Sequence, residues 1–294
     1  MKRAFLSGEK FLADVVLPPA NADALRLWWL GQSGFLVRHG GSFLLLDPYL
    51  SDSLTQKYAR TDKPHVRMTG RVIAPEKLTG ISVVTSSHNH TDHLDADTLI
   101  PLRKANPQMR LVIPEANRAF VAERLGISVS EPVGLDDGAS VEVDGWRFTG
   151  IAAAHNTLDR DAAGHHKYVG CIVRRGAWTL YHSGDTLLYS GLAEKLRAFR
   201  IDVAFLPING NQPERRVAGN LDGREAAQLA HDIGARCVVP CHYEMFEFNT
   251  ASPEEFIAEC KRLSQPHRVL QAGEGWSPGN GVFPTRRSTG HQSG

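Results

Sequence analysis

Cysteine is scarce in this chain. Only Cys171, Cys237, Cys241 and Cys260 occur, with no Cys-x-x-Cys pair, so neither a disulfide framework nor a thiolate metal knot is written into the spacing. Pro240, between Cys237 and Cys241, argues against a helix shared by those two. No apolar run approaches the roughly 18–20 residues that a membrane span requires. The opening MKRAFLSGEKFLADVV has two early cations, but Gly8, Glu9, Lys10 and Asp14 interrupt any apolar segment of a signal peptide. Few cysteines and no export pattern lead us to expect a reducing, cytoplasmic setting.

A charge excess of one sign is also lacking. The 33 Lys+Arg balance 32 Asp+Glu to a formal net charge of +1, which gives no general attraction to nucleic acid or to an anionic membrane. There is no repeat at a 20–50-residue period, no Pro/Ser-rich linker, no G-x-S-x-G elbow, no P-loop and no dinucleotide fingerprint.

What is present is an ordinary globular composition. Of 294 residues, 42% are hydrophobic and 22% charged, which excludes wholesale disorder. A chain of this length buries roughly 75% of its unfolded surface and folds without a structural metal. A metal site here would therefore serve function first.

Short apolar runs at 25–30 (LRLWWL), 34–38 (GFLVR) and 43–47 (FLLLD) read as an antiparallel meander. Residues 49–78 are polar and weakly periodic, and read as a long loop. Residues 81–85 (ISVVT) read as a buried strand, 97–105 and 115–125 as helices, and 110–113 as a strand between them. Residues 140–154 form a hairpin around Asp144-Gly145, and the loop 156–167 leads to strands at 168–174 and 177–182. Helices at 191–199 and 222–233 alternate with strands at 202–207 and 236–240. For the last helix, Ser252 reads as the cap, Pro253 as the first helical residue and Glu255 as the closure of a capping box. The expected organisation is an N-terminal segment (1–24), one layered α/β domain (25–284) and a disordered polar tail (285–294).

The 13 histidines are unevenly placed, with three in the stretch His88-Asn89-His90-Thr91-Asp92-His93 after the strand at 81–85. In an extended chain His88 and His90 project to one side, and a sharp turn would bring Asp92 and His93 round to the same space. An isolated His-x-His is usually a polar loop; four candidate ligands in six residues at a strand end suit zinc, manganese or iron. His155, Asp185 and His242 each lie just past another strand, where an α/β fold gathers its functional loops.

His-x-His-x-Asp-His, then a distant His, Gly-Asp-Thr and a final His after a strand resembles the metallo-β-lactamase-fold hydrolases over roughly residues 25–265. The resemblance implies a four-layer αββα sandwich with a dinuclear centre at one edge. It places His88, His90 and His155 on a first ion, Asp92, His93 and His242 on a second, and Asp185 between them. The cofactors would be two divalent ions, zinc or manganese, with iron also compatible. The segments WWLGQSGFLV, LLLDPYLS, HSGDTLLYSGL, DVAFLPINGN and PCHYEMFEFNT are similar to the L-ascorbate-6-phosphate lactonase branch of that fold.

Two ions sharing a water would lower its pKa and provide hydroxide to open a small lactone or ester, such as a phosphorylated sugar lactone. Asp92 would also act catalytically, passing the proton to the leaving alkoxide. Asp47 and His182, with Ser183 beside it, are candidates to hold ligand imidazoles from behind. For a small, anionic substrate the candidates are His166, Lys167, Arg215, Arg216 and Tyr243, with Arg160 and His165 in the same 156–168 loop. The alternatives are a phosphodiesterase or nuclease of the same fold, and a non-catalytic metal-binding regulatory protein. Neither nucleic acid nor membrane is an expected partner. Exposed apolar residues could support a homo-oligomer.

Overall fold

The structure, a computed structural model, describes residues 1–279; the tail expected at 285–294 lies outside the described residues. A short helix α1 (Gly8–Val15) leads into β1 (Leu25–Gly31), β2 (Gly34–His39) and β3 (Ser42–Leu46). These strands pair as the expected antiparallel meander. Helix α2 (Ser53–Tyr58) follows, then β4 (Ile81–Thr85), α3 (Ala96–Ala105), β5 (Arg110–Pro114), α4 (Arg118–Leu125) and β6 (Val133–Leu135). Strands β3 to β6 add in parallel, and the first sheet runs β13-β1-β2-β3-β4-β5-β6, where β13 is Gly275–Trp276.

The second sheet begins with the hairpin β7 (Ser140–Val143) and β8 (Trp146–Ala152), whose turn residues Asp144 and Gly145 both have positive φ. It continues with β9 (Val169–Arg175), β10 (Trp178–His182), α5 (Leu192–Arg197), β11 (Val203–Pro207), α6 (Gly223–Asp232), β12 (Cys237–Cys241) and α7 (Glu254–Arg262). Its order is β12-β11-β10-β9-β8-β7, with β10, β11 and β12 parallel. Parallel strands covered on both faces need continuous apolar runs, and VAFLP of β11 and CVVPC of β12 are wholly buried. Pro240 lacks an N–H to donate and is tolerated because β12 ends the sheet. The sheets pack face to face around one core; Phe35 of β2 meets Phe205 of β11 at 4.3 Å between ring centroids. With helices outside, this is the four-layer αββα sandwich.

Three details differ from the reading of the sequence. The N-terminal segment is not separate: α1 sends Phe11 and Val15 into the common core, and Asp14 accepts from Arg26 and from Trp28 Nε1. The 49–78 stretch contains α2 and a 3-10 turn at Pro75–Lys77, both too short to leave a periodic signal. The capping box lies on α6, where extended Asp222 accepts from the Glu225 N–H and Glu225 reaches back. At α7, Pro253 takes the position before the helix in αR geometry, so Ser252 only accepts from the Glu254 N–H at 3.3 Å.

Candidate metal centre

Five strand ends meet at one edge of the sandwich. After β4 the chain turns sharply, with the His93 and Leu94 N–H groups both donating to the His90 carbonyl. Arg124 pins this turn from α4 by donating to the carbonyls of Asn89 and Leu94. Hairpin β8 delivers His155, β10 delivers Asp185, β12 delivers His242, and β3 delivers Asp47.

The approach of the Asp185 loop to the His88 turn depends on Gly184. Its φ is +59°, and a Cβ there would lie 2.5 Å from Ser87 Cβ, so a side chain meets both strain and collision. Non-glycine residues also adopt positive φ at the centre: Gln32 (49°), Asp47 (39°) and His242 (62°). Such conformations cost free energy, and packing must impose them.

The seven side chains converge as two groups. His88, His90 and His155 offer nitrogens all within 4.8 Å of one another, and so do the donor atoms of Asp92, His93, Asp185 and His242. Asp185 reaches both: its carboxylate is 3.3 Å from His93 Nε2, 3.4 Å from His242 Nε2 and 3.7 Å from His155 Nε2. His88 Nε2, His93 Nε2 and Asp185 Oδ1 are buried without a hydrogen-bond partner. Buried polar atoms are normally satisfied, so three orphans aimed into one space, in an imidazole and carboxylate donor set, fit a pair of divalent cations.

Behind the candidate ligands, ring nitrogens of His93 and His155 are held. Asp47 Oδ2 lies 2.7 Å from His93 Nδ1, and Asp47 also accepts from the hydroxyls of Thr85 and Ser87 and from the Ser87 N–H. His155 Nδ1 donates to the Gly219 carbonyl at 2.9 Å. Each bond turns Nε2 inward, that of His155 lying 3.2 Å from His90 Nδ1. His182 does different work from that expected: Nε2 donates to the Ser33 carbonyl and Nδ1 accepts from the Gly184 N–H, so it braces backbone and touches no ligand imidazole. Ser183 bonds to the Gly184 carbonyl.

The two groups differ electrostatically. Burial pulls His88 well below the ordinary imidazole value and lowers His90 and His155. Burial acts the same way on His93 and His242, but the Asp185 and Asp92 carboxylates outweigh it; His93 is held well above its usual value and His242 is pushed up to about 9. Burial opposes the charges of Asp92 and Asp185, yet His93 and His242 keep both well below the carboxylate range.

A cavity of about 590 Å³ opens over the centre, lined by His90, Asp92, His155, Asp185 and His242. Of the residues expected to meet substrate, Arg216 lines it, in an exposed pair with Asp62. Arg215 does not: its guanidinium donates to the carbonyls of Asn209 and Thr250 and to Asn249 Oδ1. Tyr243 is buried, stacked on Trp29 at 4.3 Å, and its hydroxyl donates to the Leu270 carbonyl, so it packs rather than faces the cavity. His166 is buried against Asp136, and Lys167, Arg160 and His165 lie outside the cavity wall; from that loop Tyr168 enters instead. The sequence reading missed Gln32, whose Nε2 donates to Asp92 Oδ2 at 2.8 Å and lies 2.9 Å from His242 Nε2. It also missed Lys57, Lys63, His65 and Arg124 on the wall. Only the Gly-Gln-Ser-Gly turn could have signalled Gln32.

Among the described residues no helix is long and apolar enough to cross a membrane. Residues 43–243 match the family model of the beta-lactamase superfamily domain. A metal-dependent hydrolase of Azorhizobium caulinodans is 29% identical over 260 residues, covering 85% of this chain and 98% of the relative. A metallo hydrolase from the archaeon Ignicoccus hospitalis shares the fold at TM-score 0.64 and 22% identity, over 86% of this chain and 98% of its own. An isothiocyanate hydrolase from Delia radicum gut bacteria does so at TM-score 0.65 and 18% identity, over 85% and 98%. With its sandwich, its convergent donors and its match over residues 43–243, the chain belongs to the beta-lactamase superfamily domain family and is a metal-dependent hydrolase of the metallo-β-lactamase fold.

Proposed function

We propose that the protein opens a small lactone or ester, with an anionic sugar lactone as the favoured substrate class. The reading is carried by the convergence of seven donors with three orphaned buried atoms beneath an open cavity. In this reading His88, His90 and His155 would hold one ion and Asp92, His93 and His242 the other, with Asp185 within reach of both groups. When bound, such a pair supplies Lewis acidity and a water of lowered pKa. Asp92 faces the cavity with Oδ2 anchored by Gln32, so its carboxylate can take a proton from the attacking water and hand it to the leaving alkoxide.

Outside Asp92 and Asp185, the cavity wall carries no acid among the described residues but has Lys57, Lys63, Arg124 and Arg216. That excess favours an anionic substrate. The segments similar to the L-ascorbate-6-phosphate lactonase branch support the lactone. The same cations would serve a phosphodiester, which keeps a phosphodiesterase as the second reading.

The test is reconstitution with zinc, manganese or iron, followed by a panel of lactones, phosphodiesters and β-lactams. Metal-dependent lactone opening that disappears in His88→Ala is the expected result. Hydrolysis confined to phosphodiesters would replace the reading with the second one, and metal binding without any hydrolysis would favour a regulatory protein.

A further inference from the structure

We propose that His65 is a substrate-contacting, specificity-determining residue whose Nε2 accepts a hydrogen bond from a hydroxyl carried near the bond that is broken. The proposal rests on the lactone reading and deepens it towards hydroxylated lactones. His65 belongs to the segment after α2, far in sequence from every metal-ligand candidate, yet it lines the same cavity as Asp92 and His242.

Its tautomer follows from its partner. Nδ1 lies 2.9 Å from the Lys63 carbonyl, an atom that can only accept, so Nδ1 carries the proton and Nε2 is left bare. Burial lowers the tendency of the ring to take a second proton. The ring cannot swing freely. It stacks on Tyr58 at 4.5 Å and 27°, sits edge-on to Phe246 at 5.2 Å, and lies 5.3 Å from Phe248. An aromatic cage thus holds the ring on the cavity wall, with Nε2 as its bare nitrogen. A site built to bond a hydroxyl discriminates strongly against the analogue that lacks it, because the polar atom is then left unmet.

The experiment compares wild type with His65→Phe, which keeps the ring packing and removes Nε2, and His65→Gln, which offers an acceptor at similar reach. The probes are D-glucono-1,5-lactone and δ-valerolactone, six-membered cyclic esters with and without ring hydroxyls. The expected result is a fall of about tenfold or more in the ratio of their kcat/KM values in His65→Phe, read mainly in KM, with partial recovery in His65→Gln. Two metal equivalents should remain in both variants by elemental analysis. An unchanged ratio in His65→Phe overturns the proposal. Equilibrium binding of D-gluconate against 5-hydroxypentanoate is measured on the same metal-loaded proteins. If wild type opens neither lactone, the lactone reading fails on its own, and the binding ratio then decides His65: a preference for D-gluconate lost in His65→Phe supports it, and an unchanged preference overturns it.

Discussion

Asp47 Oδ2 sits 2.7 Å from His93 Nδ1, with both side chains wholly buried. That bond fixes which His93 nitrogen faces Asp92 and Asp185, and so orients one donor of the second group. Asp47→Asn should preserve the shape but weaken the acceptor, lowering affinity for the second metal equivalent about 10- to 100-fold while the first stays bound. Competition with a chelator, read by metal analysis, checks this. Equal affinities in variant and wild type would reduce Asp47 to a turn residue before Pro48.

Gly184→Ala tests how closely the His88 and Asp185 loops must approach. The new Cβ would meet Ser87 at 2.5 Å in a left-handed backbone. The strain alone should cost about 1–3 kcal/mol, with the collision adding to it. A lower denaturation midpoint together with loss of metal is expected. Loss of stability with full metal retention would show that Asp185 does not depend on this turn.

Metal binding should release protons from one group and not the other. Around pH 7 the metal-free His88, His90 and His155 are neutral, because burial lowers all three. His93 and His242 are protonated, the latter with a pKa of about 9. A ligand imidazole must be deprotonated, so affinity at the second group should keep rising with pH through the His242 value of about 9, whereas the first should be nearly flat above the ordinary imidazole value. Calorimetry at pH 7 in buffers of different ionisation enthalpy measures the released protons. Equal release at both steps would contradict the assignment.

Neighbouring arginines should separate cleanly. Arg216→Ala should raise KM for anionic substrates and leave the denaturation midpoint in place, since its guanidinium pairs with the exposed Asp62. Arg215→Ala removes donors from two carbonyls and Asn249, and should destabilise the protein by about 1–3 kcal/mol. The loop Arg215 pins leads to the Gly219 carbonyl that holds His155. Identical kinetic effects from both variants would contradict this division.

The strands and the seven converging groups were legible because both signals are local: apolar runs mark buried strands, and donors at their ends are spelled out in order. Side-chain direction is not local. Arg215, His166 and Tyr243 have the right chemistry for a substrate, yet long-range packing turns each towards a carbonyl or a carboxylate elsewhere. Gln32 and His65 were silent for the converse reason. A single amide in a turn and a lone histidine in an aperiodic stretch acquire meaning only when β12 and its following loop fold over them. The positive φ values of Asp47 and His242 belong to residues that do not advertise them, unlike Gly184.

Pro240 has a consequence beyond its strand. β12 ends the second sheet, beside the loop that carries His242, and Pro240 has no N–H with which to recruit a neighbour. Just before it, Val238 is already occupied, donating to the Pro266 carbonyl and accepting from the Arg268 N–H. Among the described residues, a second chain arriving at that border would meet Pro240 and the occupied Val238 in place of a continuous run of free backbone groups.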